Sequence, residues 1–270
     1  MIMFKQRVIT ASILAPVALA AVFLLPPSLF SVVMGLVTLI GAWEWANFAV
    51  HTRRERYAFV AIVALIMALL SPLLTQLTPM LLILTAGFWV FAISRVLKYP
   101  STLGVDQKLT KLLIGICVLI PSWVAMVGLK SHEQGHTLLV MLFLLVWGAD
   151  IGAYFAGKRF GRVKLIPKVS PGKTREGMYG GLLACLLIGL GFSIGMGVSS
   201  IAVVALLMLA LITGVVSVFG DLFESMFKRE RGIKDSGTIL PGHGGVLDRI
   251  DSLTAAAPIF LLGILILPIL

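Results

Sequence analysis

Residues 201–224 read IAVVALLMLALITGVVSVFGDLFE and carry no charge before Asp221 and Glu224. A helix of about twenty apolar residues is long enough to cross the hydrocarbon core of a lipid bilayer. A carboxylate at membrane depth is costly, so its presence there points to a function. This stretch therefore predicts a membrane-spanning helix with two acids gathered at its C-terminal end.

Apolar runs of similar length recur along the whole chain of 270 residues, of which 59% are hydrophobic, with a mean hydropathy of +1.05. These values lie far above those of soluble domains and exclude that class of protein. The sequence predicts an all-α, polytopic integral membrane protein with about nine transmembrane helices. We place these helices at residues 8–25, 29–50, 58–76, 79–97, 110–129, 137–156, 178–198, 201–224 and 252–270.

The basic residues give this arrangement an orientation. All of the 22 lysines and arginines except Lys130 fall on one side of the nine predicted helices. By the positive-inside rule, the N-terminus and the long loops are expected in the cytoplasm and the C-terminus outside. The net charge of +10 is then explained by topology and by attraction to anionic lipid headgroups, so no nucleic-acid partner is expected.

The N-terminus has some features of a signal peptide, namely Lys5 and Arg7 followed by an apolar stretch and the sequence ALA at 18–20. However, the apolar run continues through Leu25 before Pro26 and Pro27 interrupt it. A retained first transmembrane helix is therefore the favoured interpretation.

Polar residues divide the chain into two regions. Residues 1–135 form a transmembrane scaffold of about five helices, in which Glu44 stands between Trp43 and Trp45 and is interpreted as an anchor at the bilayer interface. Residues 136–270 carry the candidate functional site, with cytoplasmic loops at 157–177 and 225–251. The two regions are therefore expected to differ in role.

Acidic residues in the second region lie close to the cytoplasmic ends of the predicted helices. Asp221, Glu224 and Ser225 are spaced i, i+3 and i+4 and share one helical face, and Asp248, Asp251 and Ser252 repeat that spacing. Two such faces in contact would form an oxygen-rich pocket for a hard cation such as Mg²⁺. The candidate metal ligands are Asp221 and Asp248, with Asp150, Glu224 and Asp251 as ligands or neighbours.

Glycines recur at the i, i+4 spacing around Asp150. Gly148 and Gly152 flank it, and Gly157 and Gly161 form a second pair. Small residues at this spacing allow helix backbones to approach closely in membranes. Close helix packing is therefore favoured over direct ligand contact.

The loop at 157–177 is basic and contains glycine. Its segment 170–174 reads SPGKT, which resembles the end of a phosphate-binding P-loop. A P-loop needs a glycine where this chain has Pro167, and a preceding strand, so that motif is excluded. Two interpretations stay open, a loop that contacts phosphate oxygens and a polybasic patch at the membrane surface.

The second loop is the most specific feature of the chain. Residues 225–251 read SMFKRERGIKDSGTILPGHGGVLDRID and combine acids, bases, a histidine and glycines between two apolar helices. Acids can hold a divalent cation, bases can hold phosphates, and the glycines at 242, 244 and 245 allow close backbone approach to a ligand. This combination at the edge of a membrane suggests phosphate chemistry on a lipid.

The same segment is similar to the signature of the phosphatidate cytidylyltransferases, also called CDP-diacylglycerol synthases. The fixed positions of that signature are all met. They are Ser225, Lys228, Arg229, Lys234, Asp235, His243, Gly244, Gly245, Asp248, Arg249 and Asp251. Upstream, GAD at 148–150, GAY at 152–154, SPGKT at 170–174 and EG at 176–177 also resemble the bacterial members. The resemblance is strong over residues 140–270.

The resemblance implies an enzyme that condenses CTP with phosphatidic acid to give CDP-diacylglycerol and pyrophosphate, with Mg²⁺ as cofactor. It leaves open whether a second ion, divalent or monovalent, binds beside the Mg²⁺. It also implies a homodimer in the bacterial cytoplasmic (inner) membrane, surrounded by membrane lipids, with the active site facing the cytoplasm.

Site residues are expected in two groups. The catalytic candidates are Asp221, Asp248, Lys228, Arg229 and His243, of which His243 is interpreted as a positioning residue because an ionised phosphate needs no general base. The substrate-binding candidates are Ser170, Gly172, Lys173, Thr174, Arg175, Ser225, Lys234, Asp235, Gly244, Gly245 and Arg249.

Two other functions are alternatives to this enzyme. A CTP-dependent lipid alcohol kinase resembles this family in its C-terminal membrane region, but the complete signature at 225–251 disfavours it. A transporter would also explain many spans and membrane-embedded acids. Transporters place such acids near the bilayer midplane in related halves, whereas these acids cluster at one face and in one half of the chain.

Overall fold

The computed structural model describes residues 2–101, 105–240, 242 and 244–267, with side chains described from residue 12 onward. Over these residues the chain forms nine α-helices and one two-stranded hairpin, with a single 3₁₀ turn at Ser71–Leu73 between α3 and α4. The helices are α1 Ile2–Leu24, α2 Pro27–Ala46, α3 Arg53–Leu70, α4 Leu74–Lys98, α5 Lys108–Ser131, α6 Gly135–Phe160, α7 Arg175–Met196, α8 Ser200–Arg231 and α9 Leu247–Ile266; the strands are β1 Lys164–Ile166 and β2 Ser170–Thr174.

Seven helical segments of the described chain are long and apolar enough to cross a membrane, judged by length and composition. One of them, Arg53–Lys98, contains both α3 and α4 and counts once, while Ser12–Leu24 of α1 is apolar but shorter. The prediction of an all-α, polytopic membrane protein is confirmed. The count of about nine spans and the sides on which the termini lie stay predictions.

Helix α8, the longest in the described chain, is capped at both ends. The Ser199 hydroxyl accepts a hydrogen bond from the Ala202 amide at the start, and Gly232 ends the helix in the left-handed conformation. Its 32 residues span about 48 Å at ~1.5 Å per residue, more than the ~30 Å hydrocarbon core. The polar C-terminal turns can therefore extend beyond the hydrocarbon.

A cluster of buried aromatic rings packs around the C-terminal part of α8. Phe223 of α8 contacts Trp89 of α4 and Phe227 with ring centroids 5.7 and 5.1 Å apart, and Phe227 in turn lies 5.3 Å from Trp45 of α2. The Trp45 indole also donates a hydrogen bond of 2.8 Å to the Lys111 carbonyl. This cluster fixes α8 against helices of the first half of the chain.

Helices α6 and α7 pack through glycine. A Cβ at Gly152 would lie 2.7 Å from the Gly180 carbonyl oxygen, and one at Gly181 would lie 2.6 Å from the Ala149 carbonyl oxygen. Gly157 similarly faces the Thr174 hydroxyl. The packing interpretation of these glycines is confirmed, and the close approach sets Asp150 beside the hairpin that precedes α7.

Substitution of Gly152 by alanine is expected to destabilise the protein by about 1–3 kcal/mol, because the added methyl group overpacks the α6–α7 contact. Gly87 of α4 is the matched control, since no atom lies within 4 Å of a Cβ placed there. Gly87→Ala should leave stability unchanged or raise it slightly, because alanine favours the helix. Thermal unfolding in detergent measures both, and equal midpoints for the two variants would contradict the packing argument.

Candidate active site

The candidate site lies where α6, the hairpin, α8 and α9 meet. A cavity of about 370 Å³ opens there, bordered by Asp150 and Tyr154 of α6 and by Gly172, Lys173 and Thr174 of the hairpin. Asp150 itself is exposed to this space. Residues from the two predicted cytoplasmic loops are therefore brought together at one end of the helices.

The hairpin takes the place of the first predicted loop. Its strands pair antiparallel, with Lys164 opposite Thr174 and Ile166 opposite Ser170. Thr174 also caps α7, because its hydroxyl accepts a hydrogen bond of 3.1 Å from the Gly177 amide. Thr174 therefore both ends β2 and caps α7, and this fixes the neighbouring Lys173 at the border of the cavity.

Lys173 forms the first ion pair of the site. Its Nζ lies 2.7 Å from Oδ2 of Asp221, and both side chains are 27% exposed. The other oxygen of Asp221 accepts a hydrogen bond of 3.1 Å from the Ser225 hydroxyl, one turn further along α8. The predicted helical face of Asp221 and Ser225 is thus observed, and it is joined to the hairpin.

Lys228 forms the second and more deeply buried ion pair. Its Nζ lies 3.2 Å from Glu224 Oε2 and 2.8 Å from Asp248 Oδ1, and all three side chains are at most 8% exposed. A buried charge is tolerated only when it is paired in this way. Lys228 therefore connects the acid faces of α8 and α9, as the shared spacing of those acids suggested.

Asp248 organises the backbone that leads into α9. Its Oδ2 accepts hydrogen bonds from the Ser236 amide at 2.9 Å, the Ser236 hydroxyl at 2.9 Å and the Gly245 amide at 2.8 Å. Gly244, with φ of +84°, passes so close that a Cβ there would lie 2.6 Å from the same oxygen. Glycine at 244 is thus required by both backbone angle and space.

Glu44 of α2 also belongs to this network. The sequence analysis interpreted Glu44 as an anchor at the bilayer interface and so missed this role. Its side chain is buried and accepts hydrogen bonds from the Val246 amide at 3.1 Å and the Leu247 amide at 2.7 Å. The Ser236 hydroxyl lies 3.4 Å away. A charged residue inside an apolar span was the signal that could have found it.

The acids outnumber their basic partners at the centre of the site. Within the described residues, Asp221, Glu224, Asp248 and Asp251 face two ammonium groups, those of Lys173 and Lys228. Glu224 Oε1 is buried without a hydrogen-bond partner, and the Glu224 and Asp251 carboxyl groups interact directly. An unpartnered buried oxygen in an excess of negative charge fits a hard divalent cation.

The donors are present, but they do not form a closed ligand shell. Over the part of the chain that the structure describes, no three acidic, histidine or cysteine side chains converge on one point at metal-ligand distance. Asp248 accepts four hydrogen bonds with its two oxygens, whereas Glu224 Oε1 accepts none and the Glu224 carboxyl group contacts that of Asp251. Glu224 is thus better placed than Asp248 to contact a cation.

The other predicted site residues lie around this cluster. Arg229 is exposed and donates to the Val169 carbonyl at 3.2 Å and the Ile233 carbonyl at 3.5 Å, so it ties α8 to the hairpin turn. Ser170 is half-buried and Gly172 is open to solvent. The side chains of Arg175, Lys234, Asp235 and Arg249 are exposed. The predicted His243 lies outside the described residues.

Comparison with known proteins gives matches along nearly the entire chain. Residues 5–267 match the model of the cytidylyltransferase family. The chain is 48% identical to a phosphatidate cytidylyltransferase of Pseudomonas aeruginosa, with 96% of each chain covered. It is 40% identical to one of Haemophilus influenzae (96% and 97% covered) and 32% identical to one of Thermotoga maritima (94% of each). The matches include both halves of the chain and the whole cluster described above.

Proposed function

The chain belongs to the cytidylyltransferase family, and we propose that it transfers the cytidylyl group of CTP to phosphatidic acid, giving CDP-diacylglycerol and pyrophosphate. The observation that carries the proposal is the buried network in which Lys173 and Lys228 join acids of α8 and α9. Lys228 and Asp248 belong to the signature at 225–251 and Lys173 to the SPGKT segment, while Asp221 and Glu224 lie just before the signature on α8.

The reaction joins two anions, and this defines what the site must supply. An oxygen of the phosphatidate phosphate attacks the α-phosphorus of CTP, the bond from that phosphorus to the bridging oxygen breaks, and pyrophosphate leaves with the electron pair. The attacking oxygen is already ionised near neutral pH, so no general base is required. Positive charge that holds the phosphates in line is the main requirement.

The two lysines suit different parts of this task. Lys173 is partly exposed beside the cavity and pairs with one accessible acid, so phosphate oxygens can compete for its ammonium group. Lys228 is buried and fixed by two acids, so we assign it to setting the geometry and charge of the cluster. Exposed Arg175 and Arg249 are proposed to contact phosphates at the rim, where arginine can bind them through two donors.

We propose Mg²⁺ as the cofactor, with Asp221 and Glu224 as its candidate ligands and Asp251 as their neighbour. The unpartnered oxygen of Glu224 and the accessible carboxylate of Asp221 support this choice. When bound, Mg²⁺ would offset the charge of the phosphates and stabilise the departing pyrophosphate. Asp248, whose oxygens accept four hydrogen bonds, is proposed to orient Lys228 and the loop, and Asp150 to border the nucleotide.

The lipid substrate can reach this site from the side. Apolar and aromatic side chains are exposed on α6 and α7 next to the cavity, among them Ile151, Phe155, Tyr179 and Leu183. Side chains of this kind face lipid in a membrane protein, so the acyl chains of phosphatidic acid can stay in the bilayer while its phosphate enters.

The protein is a multi-pass membrane protein, and we infer that it lies in the bacterial inner membrane with this site on the cytoplasmic face, where CTP is available. We also propose a homodimer.

The test is product formation from CTP labelled in the cytosine ring, with phosphatidic acid and purified protein in detergent. We expect label to enter the lipid phase only with Mg²⁺, and the Asp248→Asn variant to lose at least about 100-fold of this rate. Folded wild-type protein that leaves the lipid unlabelled would refute the proposal. In a parallel reaction with CTP labelled at the γ-phosphate, label that enters the lipid would instead indicate a lipid kinase.

A further inference from the structure

Glu44 belongs to the N-terminal region of the chain but contacts the candidate site. It lies on α2, is 2% exposed, and accepts hydrogen bonds from the Val246 and Leu247 amides at the start of α9. Both oxygens of its carboxylate are used, Oε1 by Val246 and Oε2 by Leu247. Since these amides have no partner inside their own helix, Glu44 satisfies donors that would otherwise be buried and unpaired.

Glu44 and Asp248 hold the same piece of backbone between them. Asp248 accepts from the amides of Ser236 and Gly245, and Glu44 accepts from the next two amides, Val246 and Leu247. The Ser236 hydroxyl, also buried, lies 2.9 Å from Asp248 and 3.4 Å from Glu44. We call Glu44, Asp248 and Ser236 the carboxylate clamp.

The shape of the segment depends on Glu44 as well. A Cβ at Gly237 would lie 2.3 Å from Glu44 Oε1, and one at Gly245 would lie 2.5 Å from Oε2. Two glycines of the 225–251 segment thus face this one side chain. The loop is built around the Glu44 carboxylate, which has neither the exposure nor a free oxygen with which to contact a substrate.

We propose that Glu44 is a positioning residue of the cytidylyl transfer, acting through the carboxylate clamp. By fixing the start of α9, it holds Asp248 where that residue engages Lys228, whose ammonium group in turn lies against Glu224. The inference rests on the proposed function, because the positioned groups are those assigned to that reaction. It gives the N-terminal half of the chain a direct part in the site.

The first experiment compares Glu44→Gln with Glu55→Gln, a glutamate on α3 whose partly exposed side chain pairs with Lys108 and accepts a hydrogen bond from the Thr52 hydroxyl. A carboxamide has about the same size as a carboxylate but offers a single acceptor oxygen, so its NH₂ group would meet a backbone N–H. We expect kcat of Glu44→Gln to fall at least about tenfold, with the KM for CTP changed less than about twofold. Glu55→Gln should match the wild type in both constants.

Hydrogen exchange separates positioning from general loss of structure. In Glu44→Gln we expect faster exchange at the amides of residues 236–247, and wild-type exchange in α5 and α6. A wild-type kcat, or a loss of folded protein with kcat per folded molecule unchanged, would overturn the proposal. If the wild type itself formed no CDP-diacylglycerol, the proposed function would fail, while the exchange data would still decide whether the clamp exists.

A second pair of variants tests the contact itself. Gly237→Ala should lower kcat in the wild type, because its methyl group displaces the Glu44 carboxylate. In the Glu44→Ala background the same methyl group has room, so it should cause little further loss. Multiplicative effects in the Glu44→Ala/Gly237→Ala double variant would show that the two residues act independently and would also overturn the proposal.

Discussion

The Lys228→Met variant is expected to form CDP-diacylglycerol about 10²- to 10³-fold more slowly than the wild type, because the charge and geometry of the acid cluster depend on its ammonium group. Lys228 is the one described side chain that pairs with acids of both α8 and α9, at 3.2 Å from Glu224 and 2.8 Å from Asp248. Its loss leaves both carboxylates buried without their cation. Lys98→Met, at an exposed lysine of α4, should retain the wild-type rate.

Stability must be separated from chemistry in this variant. Breaking a buried ion pair on one side costs about 3–5 kcal/mol, so Lys228→Met should unfold at a lower temperature. Adding Glu224→Gln removes one uncompensated charge and should recover part of that stability. Because Glu224 is itself a proposed Mg²⁺ ligand, the double variant is used for stability alone, and the rate of Lys228→Met is taken per folded molecule below its melting temperature. That rate stays low if Lys228 serves the reaction, whereas a wild-type rate per folded molecule would show that Lys228 only holds the helices together.

The acid faces of the site could be predicted from the sequence because they depend on one helix at a time. The i, i+4 spacing of Asp221 and Ser225 places them on one side of any helix, and the structure joins them by a hydrogen bond. The glycines around Asp150 were likewise interpretable as a packing surface. Local periodicity was sufficient to predict both the shared helical face and the packing surface.

The contacts that complete the site depend on which helices meet, and periodicity carries no information about that. Glu44 and Leu247 are separated by 203 positions and become neighbours only when α2 packs against the start of α9. The hairpin was equally hard to foresee, because β2 contains Pro171 and Gly172, which are unfavourable in strands. Arg229, a catalytic candidate from the sequence, donates to carbonyls of the hairpin turn and of Ile233, contacts that periodicity does not indicate.

The Glu224→Gln variant tests the proposed metal site. We expect it to raise the Mg²⁺ concentration for half-maximal activity at least about tenfold, because it neutralises the acid whose Oε1 is buried without a partner. The matched Asp248→Asn variant should lose rate but keep nearly the wild-type Mg²⁺ requirement, since the Asp248 oxygens already accept four hydrogen bonds. A Mg²⁺ titration of the labelled-CTP reaction measures both.

Binding can also be followed without turnover. A ligand that binds only the folded protein raises its stability, by about 2.7 kcal/mol at 100 times its Kd. Mg²⁺ should therefore raise the melting temperature of the wild type and of a Glu133→Gln control at the opposite end of α6, and should do so much less in Glu224→Gln. Equal rises in all three proteins would place the cation away from Glu224. Asp221 and Asp150, which border the open cavity, would then be the ligands to test, and the buried acids of α8 and α9 would be left with an orienting role.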